Sequence, residues 1–250
     1  MLQEIRSGIR RLVGRPGTGD LDGLAKADRG LIGRIRERNL TYLSERKLAS
    51  LANTCRGIES AGLPGLFVEA GCALGGSAIL IASLKSVPRE FRVYDVFGMI
   101  PPPTREDTDD VHERYRTIAQ GNAAGIRQDR YYGYEDDLYG KVMGNLAAFG
   151  IDCARDRVAL VKGLLQDTLR LEGPVAFAHV DVDWYDPVKT CLERIWPRLV
   201  GGGSVILDDY HDWGGCRKAA DEYLGTIAGQ FRLDDSAGSL KVTRTGPAAG

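Results

Sequence analysis

The sequence has few cysteines, and they form no recognisable metal or disulfide pattern. Only five occur among 250 residues, and no two of them are spaced as Cys-x-x-Cys. An odd number of scattered cysteines favours neither a disulfide framework nor a zinc site. We therefore expect reduced thiols, most of them buried: Cys55, Cys72, Cys153, Cys191 and Cys216.

Long apolar runs and a large excess of one charge are absent as well. No stretch approaches the roughly 20 apolar residues that span a bilayer, and residues 1–17 lack the apolar core of a secretory signal. The net charge of −1 and the isoelectric point near 6.3 provide no broad electrostatic surface for nucleic acid or membrane. We expect a cytoplasmic homo-oligomer that acts on a small molecule, with no nucleic-acid or membrane partner.

The N-terminal quarter of the chain differs in pattern from the rest. Residues 1–20 are rich in arginine and glycine and are predicted to be a loosely held arm with solvated charges. Apolar residues then recur at helical spacing between positions 21 and 61, which predicts two helices. We expect residues 1–60 to be an arm with helices and residues 61–250 to be the main domain.

The main domain alternates strand-like apolar runs with longer helical stretches. This alternation predicts parallel strands joined by crossover helices, a doubly wound α/β sheet. A link of only three residues, 236–238, separates the last two runs, so these must form an antiparallel hairpin at the end of the sheet. The predicted strands are 65–71, 91–97, 157–163, 175–183, 202–210, 230–235 and 239–244.

Residues 98–156 interrupt this alternation. They begin with a polar stretch that contains three consecutive prolines, and they end with a helical pattern over 133–151. The segment is too long for a single loop and too polar for a core, which is typical of a functional lid or a disordered segment. We expect it to be a lid inserted between two strands.

A glycine-rich turn follows the first strand. Gly71, Gly75 and Gly76 lead into an apolar helix with Ser77 near its start, where free N–H groups could meet an anionic ligand. The spacing Gly-x-x-x-Gly-Gly departs from the Gly-x-Gly-x-x-Gly of dinucleotide folds, and no Gly-Lys-Ser/Thr of a phosphate loop is present. A tight turn without any ligand is an equally good explanation of the turn alone.

Acidic residues near the turn narrow the choice of ligand. Glu69 precedes it, and Asp95 ends the second strand, where an acid can accept both ribose hydroxyls. A ligand with an amino group, a carboxylate and a ribose fits, and S-adenosylmethionine has all three. At the end of the third strand, Gly163, Leu165 and Gln166 are expected beside the adenine, whose edge the Gln166 amide could contact. These features together predict a methyltransferase.

The predicted fourth and fifth strands each end in acidic residues. The ends of parallel strands share one rim, so Asp181, Asp183, Asp208 and Asp209 should converge. Their mutual repulsion would raise their pKa values unless a cation were present, and an all-oxygen ligand set favours Mg²⁺. Asp181 and Asp183 share one face of a strand, so one can reach the metal and the other the substrate. Asp186, before a proline, is predicted to cap the next helix.

Two histidines lie close to these acids. His179 is inside the fourth strand and is predicted to be a core residue. His211 follows the acidic pair at the rim, so we expect it to contact the substrate.

Several stretches together resemble the macrocin O-methyltransferase (TylF/MycF-type) family: residues 67–82, 162–169 and 179–223. The resemblance extends over residues 40–245. It implies a class I, Rossmann-like methyltransferase that uses S-adenosylmethionine and Mg²⁺ to methylate a sugar hydroxyl of a glycoside, a nucleotide sugar or a glycosylated natural product. By the same resemblance, Asp181, Asp208 and Asp209 are expected to bind the metal, with Asp181 also at the cofactor, and Asp183 is expected to be the general base.

Other functions remain open at this stage. A catechol- or caffeoyl-type O-methyltransferase shares the fold and the metal-binding acids, but such enzymes place a lysine base three residues after the first metal ligand. The chain has Trp184 there. A scaffold protein that has lost turnover and a nicotinamide oxidoreductase are the further alternatives.

Overall fold

The computed structural model describes residues 23–246, in which seven strands form one sheet. Their bounds are β1 Leu66–Ala70, β2 Phe91–Asp95, β3 Val158–Lys162, β4 Val175–Val180, β5 Leu199–Leu207, β6 Phe231–Asp234 and β7 Leu240–Arg244. The strand order is β3-β2-β1-β4-β5-β7-β6. The first five strands are parallel to one another, and β7 is antiparallel to both β5 and β6. The predicted mostly parallel sheet and its terminal antiparallel hairpin are confirmed.

Helices cover both faces of this sheet. On one face lie α1 (Lys26–Glu37), α2 (Glu45–Ser60) and α3 (Gly76–Leu84), and on the other lie α7 (Tyr185–Ile195) and α8 (Gly214–Thr226). Both faces of β1 and β4 are therefore buried, which explains their continuous apolar sequences. The two helices predicted before the first strand are α1 and α2, and α2 packs on α3, β4 and β5.

The insertion between β2 and β3 is ordered into helices. It contains α4 (Asp109–Ala119) and α5 (Leu138–Ala148), with short 3₁₀ turns at Ile126–Gln128 and Tyr132–Tyr134. A small apolar cluster of its own holds it together: Ile100, Val111, Ile118, Ala123, Tyr131 and Trp184. The last of these residues belongs to the loop after β4, so the insertion is packed against the rim of the sheet. The short α6 (Leu165–Thr168) follows β3.

Several strand boundaries differ from the sequence-based prediction, most clearly in β4 and β5. β4 ends at Val180 rather than at residue 183, and β5 spans Leu199–Leu207 rather than residues 202–210. Asp183 has a φ of 58°, which is incompatible with a strand, so the chain has left the sheet before this residue. The acids therefore lie in loops beyond the strand ends.

The order of the strands creates a crevice. From β1 the chain proceeds towards one edge through β2 and β3, whereas β4 and β5 lie on the other side of β1. In open α/β sheets, ligands bind outside the carboxyl ends of the strands at such a reversal. The predicted arm, residues 1–20, lies outside the described residues. No helix in the described part of the chain is long and apolar enough to cross a membrane.

Candidate active site

The loops after β1 and β4 meet backbone to backbone at the reversal point. The Asp181 N–H donates to the Ala70 carbonyl at 2.8 Å, and the Gly71 N–H donates to the Tyr94 carbonyl at 2.8 Å. Gly71 has a φ of 80°, and a Cβ at this position would collide with the Asp181 carbonyl. Glycine is required here both by the backbone conformation and by the close approach of the two loops.

A cavity of ≈ 400 Å³ opens above these loops. Its walls include the ends of β1, β2, β3 and β4, and the proline stretch of the insertion closes one side. Six of the predicted cofactor residues line it: Gly71, Asp95, Gly163, Leu165, Gln166 and Asp181. The cavity therefore brings together most of the residues that the sequence predicts at the cofactor.

Asp95 is fixed at the edge of this cavity by two backbone groups. Its carboxylate accepts hydrogen bonds from the N–H groups of Cys72 at 2.8 Å and Phe97 at 2.7 Å. Burial raises the pKa of Asp95, and these two donors oppose the rise. Each carboxylate oxygen can accept more than one hydrogen bond, so the residue keeps acceptor capacity for a ribose.

Glu69 and Ser77 do not line the cavity. Glu69 is fully buried, and its Oε1 lies 2.9 Å from Nδ1 of His179, which is also fully buried. Burial alone would lower the pKa of His179, but the Glu69 carboxylate raises it above its usual value. Ser77 is buried in the first turn of α3, where Gly76 donates its N–H to the Leu40 carbonyl at 2.9 Å. The contact of Glu69 and Ser77 with a cofactor stays a prediction, whereas His179 lies in the core, as expected.

Three carboxylates come together next to the cavity. Asp181, Asp183 and Asp209 each offer an oxygen, and the three oxygens lie within 4.8 Å of one another. The Asp183 N–H also donates to Oδ2 of Asp209 at 3.2 Å. Desolvation and neighbouring acids raise the pKa of Asp181 to about 8, and desolvation raises that of Asp183 to about 6. The pKa of Asp209 is raised well above its usual value for the same reasons.

The cluster has the properties of a divalent-cation site. The three side chains offer only carboxylate oxygens, which are the preferred ligands of Mg²⁺. Their raised pKa values show that the negative charges repel one another and are poorly solvated. A hard divalent cation between them would relieve both effects, so the donor set fits Mg²⁺.

Asp208, the remaining predicted ligand, belongs to a second group of carboxylate oxygens within 4.8 Å of one another, together with Asp209 and Asp212, and it also faces a lysine. Its Oδ2 lies 3.0 Å from Nζ of Lys47, which also lies 2.9 Å from Oδ2 of Asp212. Oδ1 of Asp208 is buried and has no hydrogen-bond partner among the described residues. The structure thus groups Asp183 with Asp181 and Asp209, and it pairs Asp208 with Lys47 of α2. No sequence pattern indicated this pair, because its members are 161 positions apart.

The backbone at Asp183 is held in an unusual conformation. Its φ of 58° lies in the left-handed region, and the next N–H, that of Trp184, donates to the Val182 carbonyl at 2.6 Å. Non-glycine residues in this region cluster at functional sites. The tight turn directs the chain from β4 into α7.

The insertion is bonded to the residues that follow Asp183. Asp107 accepts hydrogen bonds from the N–H groups of Tyr185 at 2.7 Å and Thr104 at 2.8 Å. The Trp184 indole N–H donates to the Pro101 carbonyl at 3.0 Å. The insertion therefore forms a wall of the site, and its contacts were not predicted from the sequence.

Two further predicted residues lie near the rim. Nε2 of His211 lies 3.3 Å from Oδ2 of Asp235, and its side chain is partly exposed outside the cavity lining. Its role towards a substrate stays a prediction. Asp186 is in the first turn of α7, whose N-cap is Trp184, so the predicted capping role of Asp186 is wrong.

An aromatic group with one arginine lies on the insertion side of Asp183. The ring centroids of Tyr131 and Tyr132 are 4.4 Å apart, and the exposed Tyr42 meets Tyr132 edge-on at 6.0 Å. The Arg114 guanidinium, from α4, lies 5.7 Å from the centre of the Tyr131 ring. Tyr132 also lines the cavity.

The mostly parallel sheet with its terminal antiparallel strands, the glycine turn after β1 and the acid at the end of β2 define the class I methyltransferase fold. The macrocin O-methyltransferase (TylF) family model matches residues 34–228, most of the chain. The chain belongs to this family, and it is an S-adenosylmethionine-dependent O-methyltransferase. The predicted enzyme class is confirmed, and the oxidoreductase alternative is not supported.

Two characterised relatives share most of their length with the chain. One, from Streptomyces olivaceus, is named 8-demethyl-8-(2,3-dimethoxy-alpha-L-rhamnosyl)-tetracenomycin-C 4'-O-methyltransferase and is 29% identical over 212 residues, which are 82% of this chain and 75% of the relative. The other, demethyldecarbamoylnovobiocin O-methyltransferase from Streptomyces niveus, is 25% identical over 194 residues, 73% of this chain and 67% of the relative.

Solved structures agree with the fold. The O-methyltransferase NovP superposes with a TM-score of 0.67 at 24% identity and covers 83% of each chain. The calicheamicin methyltransferase CalS11 superposes with a TM-score of 0.57 at 17% identity, over 93% of this chain and 99% of its own. At these identities the two structures support the fold alone.

Proposed function

We propose that the protein transfers the methyl group of S-adenosylmethionine to a sugar hydroxyl and requires Mg²⁺ for the reaction. The observation that carries this proposal is the cluster of Asp181, Asp183 and Asp209 beside a cavity of cofactor size. A glycosidic acceptor is supported by the relative from Streptomyces olivaceus, whose name describes a rhamnosyl-bearing tetracenomycin.

The cofactor would occupy the cavity at the end of β1. Gly71 lets it approach the backbone, Asp95 accepts hydrogen bonds from its ribose, and Gln166 meets the adenine edge. Asp181 both lines this cavity and belongs to the carboxylate cluster. This arrangement would bring the methyl group near the carboxylates, where an acceptor hydroxyl can attack it in line.

The metal would be held by Asp181 and Asp209, with Asp208 as the third ligand that the family resemblance implies. When bound, Mg²⁺ would lower the pKa of an acceptor hydroxyl and so make it a better nucleophile. In the described structure Asp208 is paired with Lys47, so its participation requires that the carboxylate share or leave this lysine. Its buried, unpartnered Oδ1 is the atom available for that role.

Asp183 would take the proton of the acceptor hydroxyl. In the metal-free protein, desolvation raises its pKa to about 6, closer to neutral pH than that of an ordinary aspartate. Trp184, which stands where catechol-type enzymes have a lysine base, is 3% exposed, and its indole N–H is used by Pro101. An indole cannot accept the proton, which favours a sugar acceptor over a phenol.

A comparison of acceptors tests this proposal. Purified protein with labelled S-adenosylmethionine and Mg²⁺ is expected to methylate sugars with vicinal hydroxyls and to leave catechols unmodified. A catechol product without a sugar product would support the phenolic alternative. A calorimetric titration that gave no heat with S-adenosylmethionine would instead support the scaffold alternative.

We further propose that the enzyme works in the cytoplasm as a homo-oligomer, without nucleic-acid or membrane partners, and that residues 61–250 form the catalytic domain. The near-neutral net charge supports the absence of polyanionic partners. Light scattering of the purified full chain tests the oligomeric state, and a monomer would contradict this expectation.

A further inference from the structure

We propose that Arg114 binds an anionic group of the acceptor, so that the sugar to be methylated carries a phosphate or a carboxylate. This inference rests on the proposed function and narrows its substrate class. Arg114 belongs to the insertion, and no acidic side chain of the described residues pairs with it.

Arg114 has no hydrogen-bond or ion-pair partner among the described residues, although it is half-buried. Its natural helical partner would be Asp110, four residues earlier on α4. The Asp110 carboxylate instead accepts a hydrogen bond from the Gly214 N–H at 3.0 Å. The guanidinium lies across the Tyr131 ring, 5.7 Å from its centre, and its N–H donors remain available.

The position of this cation relates it to the acceptor rather than to the cofactor. The guanidinium packs on the Tyr131 ring, Tyr131 lies against Tyr132, and Tyr132 lines the cavity together with Asp183, the expected general base. The charge of Arg114 opposes the burial-driven rise in the pKa of the Tyr131 phenol and of the exposed Tyr42 phenol. Yet no carboxylate oxygen of the described residues lies within the 4.0 Å of an ion pair with it. Arg114 therefore lies beside the aromatic wall of the cavity, with no carboxylate of the described residues paired to it.

The chemistry of Arg114 favours an anionic ligand. A half-buried guanidinium without partners is costly, and its planar fork matches the paired oxygens of a phosphate or a carboxylate. An anion near three aspartates would be repelled unless a cation offset their charge, and Arg114 can supply that charge. A sugar bound with its hydroxyl at Asp183 and its anionic group at Arg114 would satisfy both groups at once.

Two sources of such an anion can be separated experimentally. A nucleoside diphosphate sugar carries it on the anomeric phosphate, and a uronic acid carries it on the sugar ring. The test uses one hexose in three forms: as its nucleoside diphosphate, as the methyl glycoside of its uronic acid, and as its neutral methyl glycoside. Initial rates are measured for each form with saturating S-adenosylmethionine and Mg²⁺.

The variants are Arg114→Gln, which removes the charge, and Arg114→Lys, which keeps the charge but loses the fork. Arg116→Gln is the matched control, since Arg116 is exposed on the same helix and points away from Arg114. Calorimetric titration with S-adenosylmethionine checks that each variant keeps the folded cofactor site.

The wild-type protein is expected to prefer one anionic form, and this form identifies the source of the anion. Arg114→Gln should raise KM for that form by about tenfold to a hundredfold, as for a lost hydrogen bond to a charged group, with kcat little changed. The KM of Arg114→Lys for that form should lie between those of the wild type and Arg114→Gln. The KM of Arg116→Gln should match that of the wild type. The neutral glycoside should be affected by none of the variants.

Three results would overturn the inference. They are a wild-type preference for the neutral glycoside, an unchanged KM in Arg114→Gln, and an equal loss of kcat for all three forms, which would mean that Arg114 acts only through Asp183. In each of these cases the proposed sugar methylation stands. If the wild-type protein methylates no form at all, the proposed function fails together with the inference.

Discussion

Asp183 differs from the other acids of the site in its backbone. Its φ of 58° places it in a tight turn between β4 and α7, and its N–H is bonded to Asp209. The turn places the Asp183 carboxylate in the lining of the cavity, within the cluster that it forms with Asp181 and Asp209.

Replacement of this residue by asparagine tests its role as the base. Asparagine tolerates a positive φ well, so the turn should persist. We expect Asp183→Asn to bind S-adenosylmethionine normally and to lose about 10²–10⁴-fold in kcat, the usual contribution of a general base. Asp136→Asn is the control, since the Asp136 side chain is 97% exposed and does not line the cavity. A variant that retained the wild-type rate would rule out Asp183 as the base.

The sequence predicted the identity of most site residues but not their pairings. Aspartates that follow buried strands could be assigned to one rim from the sheet alone. The pairing of Asp208 with Lys47 and that of Glu69 with His179 could not, because they depend on how α2 and β4 pack against the sheet in three dimensions. Arg114 was missed because an arginine on a polar helix resembles an ordinary solvated residue.

At the scale of the elements, the insertion is an integral wall of the site. The prediction of a lid over 98–156 missed α4, because the apolar face of this helix is narrow and its other residues are charged. The strands were easier to predict than α4, because a strand that is buried on both faces is a continuous run of apolar residues. What the sequence could not show is the hydrogen bonding of Asp107 to the turn after Asp183.

This hydrogen bonding makes a prediction about the insertion. Asp107→Ala should leave the buried Tyr185 N–H without an acceptor and release Thr104, a cavity residue. We expect a loss of about 1–3 kcal/mol in the free energy of unfolding, weaker binding of S-adenosylmethionine and faster proteolysis within the insertion. Urea unfolding, calorimetry and limited proteolysis measure these effects. Asp109→Ala changes an exposed residue two positions away and should alter neither stability, nor cofactor binding, nor proteolysis. If the two variants gave the same results, the hydrogen bonds of Asp107 would not be what holds the insertion to the turn after Asp183.

At the scale of the whole molecule, the fold brings aspartates together at the rim formed by the carboxyl ends of the parallel strands, where their negative charges repel one another. The pKa of Asp181 is about 8 and that of Asp183 about 6, both above the value of about 3.9 for an unfolded aspartate. Between about pH 4 and pH 8 the folded protein therefore binds more protons than the unfolded chain, and its stability falls as the pH rises through this window.

Thermal unfolding of the metal-free protein should follow this dependence. We expect Tm to fall by several degrees from about pH 5 to pH 8, since each kcal/mol shifts Tm by about 2–4 °C in a chain of this size. Mg²⁺ should raise Tm most at the high-pH end, where the carboxylates are ionised. Asp181→Asn should flatten the pH dependence. A Tm that rose with pH in the absence of metal would contradict the assigned pKa shifts.

A divalent cation held by the Asp181 cluster is central to the proposed reaction, and removal of the cation tests it most directly. Methyl transfer to a sugar acceptor should stop when the protein is treated with EDTA and should return when excess Mg²⁺ is added, while calorimetric binding of S-adenosylmethionine persists throughout. Asp209→Asn should weaken the Mg²⁺ dependence and lower the maximal rate. Unchanged turnover in EDTA would contradict the role of the metal.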